Sequence, residues 1–117
     1  MCPRELTNIS HLHPFTQAVL QVIYAIPAGK VQTYGGVARL AGNPRGARQV
    51  ARILHSLSKK YHLPWHRVIN SQGKISLDPT GAEEQRLLLI TEDVSFLPSG
   101  KVKLDQHLWD GDGLFLI

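Results

Sequence analysis

The spacing of apolar side chains predicts that this chain is mainly helical. Apolar residues recur every three to four positions, the repeat that places them on one face of an α-helix. Pro14 suits a first helical position, Thr33 and Asn43 are candidate N-caps, and Thr80 can form a capping box with Glu83. The four helices predicted in this way cover residues 14–26, 34–40, 44–58 and 80–91.

The remaining segments read as short extended pieces and turns. Residues 30–32 and 75–77 are predicted to be extended, and 63–70 forms an apolar, aromatic segment stiffened by Pro64. The tail from residue 94 to the end lacks a regular pattern and is expected to pack partly against the helices. Nothing in the chain repeats and no linker divides it, so we expect one domain.

The third predicted helix has two contrasting faces. Its apolar positions are expected to be buried. Its basic positions project from the opposite side, because they follow Arg45 at offsets of three, seven and ten residues. Two short helices joined by a tight turn, with arginines on the second, are typical of a helix-turn-helix. The alternative is an ordinary helical hairpin with a solvated arginine face. The apolar set is Val50, Ile53, Leu54 and Leu57, and the basic set is Arg45, Arg48, Arg52 and His55.

Length and composition limit the class of protein. The chain has 117 residues, a length that suits one compact core, and 43% are hydrophobic, which excludes wholesale disorder. No apolar run approaches the roughly 20 residues of a membrane span, and no signal peptide is evident. The single cysteine, Cys2, excludes a disulfide framework. We therefore expect a soluble, intracellular protein, cytoplasmic and nucleoid-associated in a bacterium or nuclear in a eukaryote.

The charge distribution is more informative than the net charge of +4. No carboxylate occurs between Leu6 and Leu77, whereas this stretch holds nine lysines and arginines. A merely solvated face normally mixes both signs of charge, although that reading stays open. The basic block therefore favours a polyanion such as nucleic acid as the partner.

Candidate catalytic chemistry is sparse. Cys2 lies close to the chain end, and His66 is preceded by Trp65 rather than by a nucleophile. The six histidines show no metal-ligand spacing, so neither a metal nor another cofactor is expected. From residue types and spacing alone, a basic DNA-binding module is favoured.

One segment carries a family resemblance. Residues 64–69, Pro-Trp-His-Arg-Val-Ile, resemble the Pro-Cys-His-Arg-Val signature of O6-alkylguanine-DNA alkyltransferases, with Trp65 in place of the alkyl-accepting cysteine. Further pieces agree in order and spacing, at residues 26–31, 33–38, 43–50 and 85–92. The chain is therefore similar to the alkyltransferase-like proteins, the cysteine-free branch of the methylated-DNA-cysteine S-methyltransferase family.

The resemblance implies both a fold and a function. The fold would be a single small, mainly α domain with a winged helix-turn-helix-like DNA-binding core over residues 14–109. Residues 1–13 would be a flexible N-terminus and 110–117 a C-terminal extension. The function would be non-enzymatic: a monomer binds O6-alkylguanine in double-stranded DNA through the minor groove and flips the base into a pocket. It leaves the alkyl group in place and signals to nucleotide excision repair proteins.

Two alternatives stay open beside that function. One is residual repair-enzyme activity, either alkyl transfer or a glycosylase, against which Trp65 argues because an indole cannot accept an alkyl group as a thiolate can. The other is a transcriptional regulator that inserts the third helix into the major groove and reads a sequence.

The resemblance also assigns roles to individual residues. Arg48 matches the arginine finger that fills the space left by the flipped base, and Tyr34 matches the tyrosine that crowds the 3′ phosphate. Glu92 and His66 match the pair that activates the thiolate in the enzymes. The implied pocket comprises Tyr34, Trp65, His66 and Val68; the implied DNA-binding set comprises Thr33, Tyr34, Arg45, Gly46, Ala47, Arg48, Gln49 and Arg52.

One departure from the family pattern affects recognition. Some relatives carry an arginine in the loop after residues 75–76 that stacks on the flipped base, whereas this chain has Leu77 and Asp78. We therefore expect weaker discrimination between alkylated and normal guanine, or a larger contribution from Trp65.

Overall fold

The computed structural model describes residues 9–75, 77 and 79–112. Five α-helices and a two-stranded parallel sheet make up this part of the chain, so the mainly α fold class is confirmed. None of the helices in these ranges is long and apolar enough to cross a membrane. In chain order the elements are α1 (Pro14–Ala25), β1 (Gln32–Thr33), α2 (Tyr34–Leu40), α3 (Ala47–Tyr61), a 3-10 turn (Trp65–Arg67), β2 (Val68–Ile69), α4 (Pro79–Thr91) and α5 (Leu104–His107).

Helices α1, α2 and α3 surround the larger part of the core. Their inward-facing side chains include Leu20, Ile23, Val37 and Val50, all fully buried. Ile9, which precedes α1, is also buried in this cluster. The core therefore begins before the predicted boundary at residue 14, and the flexible segment predicted for residues 1–13 does not extend to Ile9; residues 1–8 lie outside the described ranges.

A second, smaller cluster joins the sheet to α4 and the C-terminal region. It consists of Val31, Ile69, Leu89, Val94 and Val102. The tail predicted to be irregular contributes α5 and two isolated β-bridges, of which Val31 with Leu108 ties it to the segment before β1. Trp109 is buried in the larger cluster, so the tail closes the domain.

The parallel pair β1–β2 was not predicted as a sheet. Gln32 is paired with Val68 and Thr33 with Ile69, which holds the start of α2 beside the 3-10 turn. The segment 75–77, predicted to be extended, forms no β-strand at Ile75 or Leu77, and Ser76 lies outside the described residues.

Two predicted helix starts are wrong. Helix α3 begins at Ala47 instead of Pro44, because the Gly46 amide donates to the Asn43 carbonyl at 3.0 Å and closes a turn. The Asn43 side chain accepts from the Arg45 amide at 3.2 Å, so it stabilises that turn and does not cap the helix. Helix α4 begins at Pro79, which places Thr80 inside the helix and removes it from the predicted cap position.

Candidate functional site

A cavity of about 770 Å³ lies between α3 and the segment that contains the 3-10 turn. Its volume is in the range of sites that hold small molecules. Helix α3 and its end contribute Ala51, Leu54, His55, Ser58, Lys59 and His62. The facing wall consists of Tyr34, Leu63, Trp65, Val68, Leu77 and Gln85.

Tyr34 is positioned by the cap of α2. The Thr33 hydroxyl accepts a hydrogen bond from the Gly36 amide at 2.9 Å, which confirms Thr33 as the N-cap and makes Tyr34 the first helical residue. Gln32 is buried and donates to the Trp109 carbonyl at 2.8 Å, so the start of α2 is fixed to the C-terminal region as well. The half-buried Tyr34 side chain thereby lines the cavity.

Trp65 lies in the facing wall and is half-buried. Its indole meets the His66 ring edge to face, with centroids 6.2 Å apart. The buried Gln85 supports this segment, because its amide nitrogen donates to the carbonyls of His66 at 3.0 Å and Val68 at 2.9 Å. The structure therefore places three of the four implied pocket residues, Tyr34, Trp65 and Val68, around one cavity.

His66, the fourth implied pocket residue, is not among the residues that line the cavity. Its Nε2 lies 2.8 Å from a carboxylate oxygen of Glu92, so the imidazole belongs to a polar cluster behind the cavity wall. Arg67 belongs to the same cluster and donates to Glu92 at 2.7 Å and to the Ile26 carbonyl at 2.8 Å. The assignment of His66 to the pocket is therefore corrected.

The Glu92 carboxylate is stabilised in its charged form. Burial raises its pKa, but hydrogen bonds from Arg67 and His66 and from the Gly29 amide outweigh burial and lower the pKa from 4.5 to about 2. Glu92 is therefore a fixed anion at neutral pH. The hydrogen bonds of this cluster join the end of α4 to the loop after α1.

Basic side chains follow the solvent side of α3. Arg48 and Arg52 are exposed, and His55 and Lys59 continue the same side at offsets of seven and eleven from Arg48. We call these four residues the basic row. Arg45 is also exposed but lies in the turn before α3, so it is not part of the helix as predicted.

Three small or polar residues of the implied DNA-binding set differ in exposure. Gln49 is exposed and Ala47 is half-buried. Gly46 is buried, and a Cβ atom there would lie 2.8 Å from Cζ of Phe15. The absence of a side chain at Gly46 therefore serves the packing of α1 against α3, and its place in the DNA-binding set stays a prediction.

Several cavity residues were missed from the sequence. Ser58, Lys59 and His62 line the cavity, as does Gln85. The three on the α3 side continue the helical spacing that starts at Ala51, so the signal was present in the sequence. The predicted helix ends at Ser58, three residues before the observed end at Tyr61, and so leaves Lys59 outside it.

Comparisons with known proteins identify the family of this chain. Residues 14–94 match the family model described as 6-O-methylguanine DNA methyltransferase, DNA binding domain. The DNA base-flipping protein of Escherichia coli is 47% identical over 82% of this chain and 74% of its own length. Alkyltransferase-like protein 1 of Schizosaccharomyces pombe is 41% identical over 81% of this chain and 94% of its own length.

A solved structure of the S. pombe relative is also similar to this chain. The crystal structure of the S. pombe protein in complex with damaged DNA containing O6-carboxymethylguanine has a TM-score of 0.71 and 38% sequence identity. The similarity covers 82% of this chain and 94% of the S. pombe chain. The chain therefore belongs to the family of the 6-O-methylguanine DNA methyltransferase DNA-binding domain. Within that family it is an alkyltransferase-like protein, related to the DNA base-flipping proteins.

Proposed function

We propose that this protein recognises O6-alkylguanine in double-stranded DNA without repairing it. It binds through the minor groove, rotates the damaged base out of the stack and holds it in the cavity with the alkyl group still attached. The observation that carries this proposal is the cavity itself, bounded by Tyr34 and Trp65 and flanked by the basic row of α3. The DNA-bound state of the S. pombe relative supports it.

The basic row supplies a binding energy that is independent of sequence. Arginine and lysine side chains neutralise phosphates and release counterions, so affinity falls as salt rises. Arg48 is exposed at the second position of α3, where a planar guanidinium can enter the duplex and replace the stacking of the flipped base. Flipping costs a few kcal/mol and is easiest for a damaged base that pairs poorly.

Trp65 supports binding without reaction. Its indole provides a broad apolar surface for an alkyl group but lacks the nucleophilic lone pair of a thiolate. His66 and Glu92 therefore have no thiol at residue 65 to activate, and their hydrogen bond serves the packing of the segment behind the cavity. The bound lesion is expected to remain chemically unchanged.

We further propose that the bound protein, acting as a monomer, marks the lesion for nucleotide excision repair proteins. The family resemblance supports this step. In addition, a protein that holds a lesion without removing it needs a second activity to complete repair.

The proposal is tested by measuring affinity for two duplexes at fixed salt, one with O6-methylguanine and one with guanine at the same position. The protein is then examined by mass spectrometry. We expect tighter binding to the lesion and an unchanged protein mass. Equal affinities would contradict lesion recognition.

The alternatives are separated when the DNA is also analysed by mass spectrometry and undamaged duplexes of other sequences are included. An increase in protein mass by one methyl group would indicate alkyl transfer, and release of the damaged base would indicate a glycosylase. Affinity that depends on the sequence of undamaged DNA would indicate a transcriptional regulator.

A further inference from the structure

The α3 side of the cavity carries basic side chains. His55 and Lys59 lie one turn apart on α3, and His62 follows directly after the end of the helix at Tyr61; all three line the cavity. The lysine ammonium has three donors, and each imidazole can donate through a ring nitrogen. The facing wall is mainly apolar, with Leu63, Trp65 and the half-exposed Leu77.

Lys59 has no counter-charge among the residues that the structure describes. None of the described residues that line the cavity is a carboxylate, and Lys59 forms none of the ion pairs found in these ranges. Its neighbour Lys60 differs, because the Lys60 ammonium lies 5.5 Å from the centre of the Tyr61 ring and does not line the cavity. The two adjacent lysines therefore face different surroundings.

We propose that the cavity prefers O6 substituents that end in a negatively charged group, such as a carboxylate, and that Lys59 is the residue that selects them. This inference rests on the proposed function and specifies its substrate class. The carbon atoms of the substituent pack against the indole of Trp65, while its charged end points toward Lys59, with His55 and His62 as additional donors.

Electrostatics favours this arrangement over a preference for simple alkyl groups. A methyl group gains apolar contact only, whereas a carboxylate also gains attraction to the ammonium, which is stronger at the mouth of a protein cavity than in bulk water. Lys59 is exposed, so the gain is limited by solvent. We therefore expect a selectivity of several-fold and not of many orders of magnitude.

A different role for Lys59 would be contact with a DNA phosphate, since it continues the basic row. The two roles differ in what they predict. A phosphate contact raises affinity for every duplex alike and adds about one to the slope of log affinity against log salt. A contact with the substituent changes the ratio of affinities between two lesions.

The test uses three duplexes that are identical except at one guanine. The first carries O6-carboxymethylguanine, the second O6-carbamoylmethylguanine, whose amide has nearly the same size without the charge, and the third unmodified guanine. Binding is measured for the full chain and for two variants, Lys59→Met and the matched control Lys60→Met. Both variants lose one positive charge.

We expect the unaltered protein to bind the carboxymethyl lesion about fivefold more tightly than the carbamoylmethyl lesion, the upper end for one exposed ion pair. Lys59→Met should bring this ratio close to one, while Lys60→Met should leave it unchanged. A ratio of one or less in the unaltered protein would overturn the inference. So would an equal loss of affinity for all three duplexes in Lys59→Met, which would identify a phosphate contact.

The proposed function fails in a distinguishable way. If the protein binds both lesions no more tightly than guanine, lesion recognition itself is wrong, and the inference falls with it. If both lesions are preferred to guanine but with equal affinity, recognition stands and only the selection by charge is overturned.

Discussion

The guanidinium of Arg67 and the carboxylate of Glu92 form a two-point ion pair behind the cavity. Nε of Arg67 lies 3.0 Å from one carboxylate oxygen and Nη2 lies 2.7 Å from the other. Their side chains are only 18% and 15% exposed. Because Arg67 also binds the Ile26 carbonyl and Glu92 accepts from the Gly29 amide, the pair connects the 3-10 turn, the loop after α1 and the end of α4.

Removing the charge of Glu92 is expected to destabilise the fold. Glu92→Gln leaves the Arg67 cation without its partner in a largely buried position, which should lower the free energy of unfolding by about 2–3 kcal/mol. The matched control is Glu83→Gln, because Glu83 is 61% exposed and lies 3.8 Å from Arg86. The control should change the same quantity by less than about 0.5 kcal/mol. Denaturant unfolding measures both, and equal effects would contradict the role given to Glu92.

The low pKa of Glu92 predicts acid sensitivity. Because the pKa is lowered to about 2 from 4.5, the pair contributes its full stability above about pH 4.5 and loses it as the pH falls toward 2. The difference in unfolding free energy between the unaltered protein and Glu92→Gln should therefore shrink by up to about 3 kcal/mol between pH 5 and pH 2. Denaturation at a series of pH values measures this. A difference that is independent of pH would show that Glu92 is not stabilised as an anion.

Two adjacent glycines of α2 should respond differently to alanine. The side chain of Gln32 occupies the space next to Gly36 where a Cβ atom would lie, whereas nothing lies within 4 Å of that position at Gly35. Gly36→Ala should cost about 1–3 kcal/mol because it displaces a buried, hydrogen-bonded carboxamide. Gly35→Ala should be neutral or stabilise the helix by up to about 1 kcal/mol. Thermal or denaturant unfolding measures both, and a similar effect at the two positions would contradict the packing.

Arg48→Ala tests the proposed finger. Because Arg48 is exposed, the fold should be unaffected, while affinity for a lesion duplex falls by about tenfold or more. Fluorescence of a reporter base beside the lesion, which rises when stacking is lost, should also decrease. Arg52→Ala is the comparison, since a phosphate contact should weaken all duplexes alike and leave the reporter signal at saturation unchanged. An unchanged reporter signal in Arg48→Ala would exclude the finger role.

Trp65→Ala tests whether the indole recognises the alkyl group. Loss of this cavity wall should reduce the preference for O6-methylguanine over guanine by several-fold, because the apolar contact with the alkyl group is lost. Affinity for the undamaged duplex should change little. The unfolding free energy is measured in parallel, since Trp65 is half-buried. An equal loss of affinity for both duplexes would mean that the indole has only a structural role.

Local spacing determined the parts of this protein that depend on neighbouring residues. The apolar positions of α3 were identified from sequence, and the structure buries Val50 and Leu54 and partly buries Ile53 and Leu57. The cap at Thr33 was also identified, because a cap uses an amide only three residues away. The basic block was identified from the order of charged residues along the chain alone.

Tertiary structure decided what depends on distant residues. The start of α3 depends on a turn at Asn43 and on the Phe15 ring against Gly46, and the sheet joins strands 36 residues apart, as the pairing of Gln32 with Val68 shows. The apolar run 87–90 gave no indication of which side chain would be buried. Only Leu89 is, because successive residues of a helix point about 100° apart and one face of α4 meets the core.

The site shows the same division. The family resemblance of the sequence named Tyr34, Trp65 and Val68, and the parallel strands and the support of Gln85 brought them to one cavity. It did not reveal that Arg67 joins the predicted pair of His66 and Glu92, or that Lys59 lines the cavity. The first depends on a contact between residues 25 positions apart, and the second depends on which side of α3 is left uncovered by the rest of the chain. Helical and strand periodicity are local properties, whereas a cavity exists only where distant segments meet.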